Sequence, residues 1–92
     1  MTKDEIREVL VIYREELNRR GFSGCEFSHQ ETLCFEFHAL QHVFDMIDKI
    51  EEFLEEDRIE KAFRWLGFMQ GCLWSFGIYT LEDLRDHNRP SE

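Results

Sequence analysis

Apolar residues recur along most of this chain with the period of a helix, and they crowd together in one stretch, Ile59–Gly77, IEKAFRWLGFMQGCLWSFG. Wound at 3.6 residues per turn, that stretch sets Ile59, Ala62, Phe63, Leu66, Met69, Leu73 and Phe76 on one face. Trp65, Phe68 and Cys72 widen the face on one side and Trp74 on the other. Roughly two-thirds of the circumference is then apolar, more than the stripe of an ordinary surface helix. Glu60, Arg64, Gly67, Gly71 and Ser75 form the narrow polar-or-small remainder, with Lys61 at its edge. The pattern predicts a helix over 59–76 that is buried from most directions and wrapped by the rest of the chain.

The other segments read as helices with their own start signals. Thr2 and Glu5 make a capping box, and Ile6, Val9, Leu10, Tyr13 and Leu17 follow at helical spacing up to a stop at Gly21. Glu15–Arg19 and Glu16–Arg20 are favourable pairs on the outer face. Residues 22–28 read as a loop. Ser28 and Glu31 form a second box ahead of Leu33, Phe37, Leu40, Phe44, Ile47 and Leu54, which predicts a long helix over about 29–56. Within it Leu33, Phe35 and Phe37 alternate with Cys34 and Glu36, so a short hairpin over Cys25–Phe37 is the alternative. Asp57 with Glu60 is a cap for the apolar helix, and the short turn predicts an antiparallel hairpin of the second and third helices. Gly77 closes the third helix. Thr80 with Asp83 opens a short fourth helix over 81–87, with Tyr79 stapled onto Leu84. Residues 88–92 are expected to fray. The fold class is all-α: a small helical bundle in a single domain, 1–92.

Charge narrows the partners. The chain has 92 residues with 20 acids against 11 bases, a formal charge of −9. That excludes direct binding to a nucleic-acid backbone, which needs clustered Lys and Arg, and it disfavours an anionic membrane surface. Met1 is followed by charged TKDEIRE, which is no leader peptide, and no run is apolar enough to span a bilayer. Three Cys without a CxxC pair fit free thiols in a reducing cytosol. A chain this small with so wide an apolar surface is stabilised by association, so a homodimer is expected.

Candidate chemistry is sparse. Cys34, His38, His42 and Asp45 line one side of the second helix, and His38 with His42 has the spacing that lets two imidazoles share an ion. One straight row cannot surround a tetrahedral ion, so another segment (Cys25, His29 or Cys72) would have to complete it. From Gly21 to Asp48 there is no Lys or Arg, and the three His there lie among Glu26, Glu31, Glu36, Asp45 and Asp48. No hydroxyl or thiol is marked as an activated nucleophile, no Gly-rich loop could cradle a phosphate, and no cofactor is implied. The run Asp48–Glu60 carries seven acids against two bases. It is a solvated face or, with Glu51, Glu52, Glu55 and Glu56, an imitation of nucleic-acid phosphates for a basic groove on another protein. Gln70 falls within the apolar face of the third helix and must find partners there. Gly67 and Gly71, one turn apart, point to close packing within the chain. The rival reading is a notch for a partner helix or ligand, formed with Arg64 and Trp74.

The run RWLGFMQGCLWSFGIYTLEDLRDHNRP, Arg64–Pro90, resembles the C-terminal part of small helical proteins encoded by tailed phages. Those carry an RWLGFxQGxLW helix, a short helix of TLEELR type and an NR ending; Asp83 stands here where that pattern has Glu. The resemblance covers under a third of the chain, excludes residues 1–28 and transfers no catalytic residue. It implies a phage accessory protein in the bacterial cytoplasm. With the charge and the lack of a catalytic signature, the expected function is non-enzymatic: binding a host or phage protein to inhibit or redirect it. A nucleic-acid mimic and a small metal- or ligand-binding protein are the alternatives.

Overall fold

Residues 1–22 and 36–89 are described by a computed structural model, and they form four helices: α1 (Lys3–Arg19), α2 (Glu36–Glu55), α3 (Ile59–Ser75) and α4 (Leu81–His87). There is no strand among the described residues. The predicted start of α2 at 29–35, the Ser28–Glu31 box and the hairpin alternative up to residue 35 lie outside them. Glu36 and Phe37, the last two residues of that alternative, are helical.

Local chemistry explains where the helices begin and end. Thr2 and Thr80 both form complete capping boxes: each hydroxyl accepts from the backbone amide three residues on, and Glu5 or Asp83 accepts in return. Three helices stop in one way. The amides of Phe22, Arg58 and Ile78 donate to the carbonyls of Leu17, Phe53 and Leu73 at 3.0, 2.8 and 2.9 Å. This is the Schellman closure, which turns the chain through a left-handed residue. Gly21 and Gly77 occupy that position in α1 and α3, with φ of 97° and 74°. In α2 the position belongs to Asp57, at φ 62°. Asp57 therefore does not cap α3, contrary to the sequence expectation. The residue before α3 is Arg58, which makes no side-chain cap, and Asp57 instead ends α2 and ion-pairs with Lys3 of α1.

The core lies where three helices meet. Ile6, Leu10, Tyr13 and Leu17 of α1, Val43, Ile47, Ile50 and Leu54 of α2, and Ala62, Leu66, Met69 and Leu73 of α3 are essentially inaccessible. Each such aliphatic side chain contributes about 1.5–3 kcal/mol by leaving water. α2 packs most extensively on α3 and next on α1, so α2 and α3 form the antiparallel hairpin that their short connection requires. Leu84 of α4 joins the same cluster. Arg14 ties α1 to α2 through Asp48 at 2.7 Å. On α1, Glu16 takes both Arg20, at 2.9 Å, and Arg19, in place of the expected Glu15–Arg19 pair.

α3 is not wrapped from most sides. Its buried face is Ala62, Leu66, Met69, Gln70 and Leu73, while Phe63, Phe68 and Trp74 are 38, 57 and 50% exposed. The bundle covers one half of the apolar arc and leaves the other open.

Candidate docking face

The open half of α3 is built from residues that the helix places opposite the core. At about 100° per residue, Phe63, Trp74, Gly67, Glu60, Gly71, Arg64, Ser75 and Phe68 succeed one another across an arc of about 140°. Among the described residues, a Cβ added at Gly67 or Gly71 would meet nothing within 4 Å. The two glycines therefore do not serve packing among the described residues; they leave a shallow saddle on the exposed side of α3. Arg64, exposed at the side of that saddle, has no ion pair among the described residues. Trp74, Arg64, Gly67 and Gly71, the predicted notch residues, do share one surface.

Beside Arg64 the face continues into an open cleft of about 290 Å³ between α2 and α3, lined by His42, Met46, Arg64, Trp65 and Phe68. Trp65 forms its wall because its ring meets Phe53 edge-on, with centroids 4.9 Å apart. Charge sets this side of the molecule apart. Along α3 the single acid Glu60 is outnumbered by Lys61 and Arg64, whereas α2 holds six acids and one base.

The other candidates fare differently. His38, His42 and Asp45 follow one another along α2, where Gln41 Nε2 donates to Asp45 Oδ1 at 3.3 Å. Among the described residues, no three His, Cys, Asp or Glu side chains come together as a metal site would require. Cys25, His29 and Cys34 lie outside the described residues. Burial pushes the half-buried Cys72 thiol above its ordinary pKa, the opposite of an activated nucleophile. Of the acids at the hairpin end, Asp48 and Glu51 share Arg14, Glu52 meets Lys49, Glu56 meets Arg58 and Asp57 meets Lys3. Only Glu55 and Glu60 there have no ion pair among the described residues, so most of this charge is locally compensated.

Behind the open face lies a polar network that sequence reasoning located only through Gln70. Gln70, 9% exposed, donates from Nε2 to the Tyr13 hydroxyl at 3.0 Å and to Asn88 Oδ1 at 2.8 Å. Asn88 Nδ2 donates back to Gln70 Oε1 at 3.1 Å. The Tyr13 hydroxyl also shares a hydrogen bond with His87 Nδ1, 3.0 Å away. The Tyr13, Tyr79 and His87 rings pack together, with centroids 4.8–5.5 Å apart. Burial pushes the Tyr13 hydroxyl pKa up to about 12, against the opposing pull of the Gln70 hydrogen bond. The network pins α4 and the residue after it to α1 and α3. Asn88 is thus held and not frayed, as the sequence had suggested for 88–92.

The molecule is a small helical bundle with one face of its most apolar helix left uncovered. The chain matches no protein-family model, no curated protein and no solved structure.

Proposed function

We propose that this is a non-enzymatic interaction protein, which docks another polypeptide against the uncovered face of α3 and so inhibits or redirects a host or phage protein. The observation that carries the reading is the exposure of Phe63, Phe68 and Trp74 around two unobstructed glycines. A chain that could fold equally well with polar residues there exposes large aromatic side chains at a surface, and such patches mark contact sites. Arg64 and Trp74 are also the residue types in which binding energy concentrates. The phage origin and the bacterial cytoplasm are part of the proposal, supported by the resemblance of Arg64–Pro90. No helix among the described residues is long and apolar enough to cross a membrane.

The test is affinity purification of the tagged chain from expressing bacterial cells, in parallel with Trp74→Ala and Gly71→Glu. A protein recovered with the parent chain and lost with both variants supports the reading. Equal recovery by all three refutes the α3 face as the docking surface, and recovery of nothing above background refutes the interaction function. The nucleic-acid mimic is the weaker reading, because the acids it needs are mostly engaged with neighbouring bases.

A further inference from the structure

We infer that the docking surface continues past Trp74 into the corner between α3 and α4, and that this corner takes a basic segment of the partner polypeptide, one that sets a Lys or Arg beside a large apolar side chain. The inference rests on the docking reading above and supplies the chemistry of the segment that docks.

The corner holds an open groove of about 550 Å³, lined by Trp74, Ile78 and Leu81 and, on its α4 side, by Glu82 and Asp83. That volume lies within the range of binding sites, about 300–1,000 Å³. The stop of α3 creates the groove. Gly77, at φ 74°, turns the chain out of the helix, so that Leu81, the first residue of α4, shares one groove with Trp74 in the last turn of α3. The fold does not need these apolar residues. Trp74 is half exposed and Leu81 58% exposed, while Leu73 beside the one and Leu84 a turn from the other supply the core.

Charge decides the occupant. Glu82 and Asp83 line the groove and no Lys or Arg does. All 11 Lys and Arg of the chain lie among the described residues, and none forms an ion pair with Glu82 or Asp83. Arg85, the nearest along the chain, is outside the lining, and Arg19 and Arg20, whose charges reach Tyr79, are engaged by Glu16. These two acids therefore differ from those of the hairpin end, which have bases beside them. Asp83 accepts from the Thr80 amide at 3.0 Å, and the Thr80 hydrogen bonds hold its carboxyl below the ordinary carboxylate range, so it is ionised at neutral pH. α3 also ends here with no base in its last turn to meet the negative end of its dipole. An indole is the aromatic ring that attracts a cation most strongly. Uncompensated carboxylates, an exposed indole and a bare helix end all favour a cation, and the apolar wall favours an apolar neighbour for it. The formal charge of −9 steers the same segment from a distance and repels an acidic one.

A random peptide library displayed on yeast, selected against the immobilised full chain, tests this. Enriched peptides are then made with a fluorophore and titrated by anisotropy. They should carry Lys or Arg next to Leu, Ile, Phe or Trp, and bind more weakly as salt is raised. Leu81→Ser should weaken binding about tenfold through lost apolar contact. Glu82→Lys should weaken it about tenfold, and Glu82→Gln about two- to fivefold, the worth of an exposed ion pair. Both positions are exposed and outside the Thr80–Asp83 box, so the variants keep the fold, which circular dichroism and thermal melting verify. Glu8→Lys, an equal change of net charge at an exposed site on α1, should leave binding nearly unchanged. Acidic or uncharged enriched sequences overturn the inference, as does the absence of any enrichment. Equal losses with Glu8→Lys and Glu82→Lys overturn it too. Peptides that respond to Gly71→Glu and Trp74→Ala but not to Leu81→Ser or Glu82→Lys also overturn it, and leave docking on the α3 face standing. Basic peptides lost with Leu81→Ser and Glu82→Lys but indifferent to Gly71→Glu support it, and remove the glycine saddle from the docking surface.

Discussion

Replacing Tyr13 by Phe removes one oxygen from the inside of the bundle, and the consequences can be followed atom by atom. The hydroxyl holds Gln70 Nε2 and His87 Nδ1, each at 3.0 Å. Gln70 keeps Asn88 Oδ1 at 2.8 Å, so one of its two amide hydrogens stays bonded and the other loses its partner inside the core. A buried donor left unsatisfied costs about 1–3 kcal/mol. His87 is only half-buried and can turn to water, so its loss adds little. The ring itself is retained, so no cavity opens and no apolar contact is sacrificed.

The expected cost is therefore about 1–2 kcal/mol, against a total stability of about 5–14 kcal/mol for a domain of this size. For such a domain each kcal/mol moves the melting midpoint by about 4–8 °C. Thermal melts followed by circular dichroism at neutral pH should place Tyr13→Phe about 4–15 °C below the parent. Pairing it with Gln70→Met in a double-mutant cycle isolates the contact, with an expected coupling of about 0.5–1.5 kcal/mol. A variant that melts with the parent, or additive losses with no coupling, would mean that the hydroxyl does not hold Gln70, and the account of how α4 is anchored would fail.

Alkali should act on the same hydroxyl. Folding raises its pKa from 10.0 to about 12 by burial, so the folded state retains a proton that the unfolded state has released. That stabilisation is complete below pH 10 and is lost as pH rises from 10 to 12, a fall of roughly 2–3 kcal/mol visible in urea titrations across that window. The Tyr13→Phe variant should lose less over the same interval. Asp57→Gly should raise the melting midpoint by a few degrees, because a left-handed conformation is unfavourable for a residue with a side chain and natural to glycine. The exposed ion pair with Lys3 offsets little of that gain. Gly67→Ala should stabilise by about 1 kcal/mol through helix propensity alone; a loss of stability would show that the outer face of α3 is covered within the chain.

Helix ends were legible where one residue both signals and performs the termination. Thr2, Gly21, Gly77 and Thr80 act as their residue types require, because a cap is a transaction between atoms three to five residues apart and needs no tertiary context. Asp57 misled for the same local reason. Asp is a preferred N-cap, but it is also among the few residues with side chains that tolerate the left-handed region. The turn between α2 and α3 is so short that one residue could serve either end, and the closing hydrogen bonds of α2 took it. Gln70 marked a buried network, but nothing local named Tyr13, His87 and Asn88 as its partners. Those lie 57, 17 and 18 positions away along the chain, and only the packing of α1 and α4 beside α3 brings them together.

The width of an apolar arc states how much surface a helix would rather hide, but not how many neighbours hide it. Among the described residues α3 has one main neighbour, α2, and that suffices for Ala62, Leu66, Met69 and Leu73. The rest of the arc is then either an unfilled claim on the core or a claim on something outside the chain. Glycine decides between them. In a core, Gly67 and Gly71 would be crowded by a neighbour that their missing side chains admit; here both are exposed, and each weakens the helix by about 1 kcal/mol relative to Ala with no compensating contact among the described residues. Phe63, Phe68 and Trp74 around them carry the same unbalanced account, since exposed aromatic surface gains nothing from the fold it sits on. One half of α3 is thus explained by folding; the other is the surface on which the proposed docking function rests.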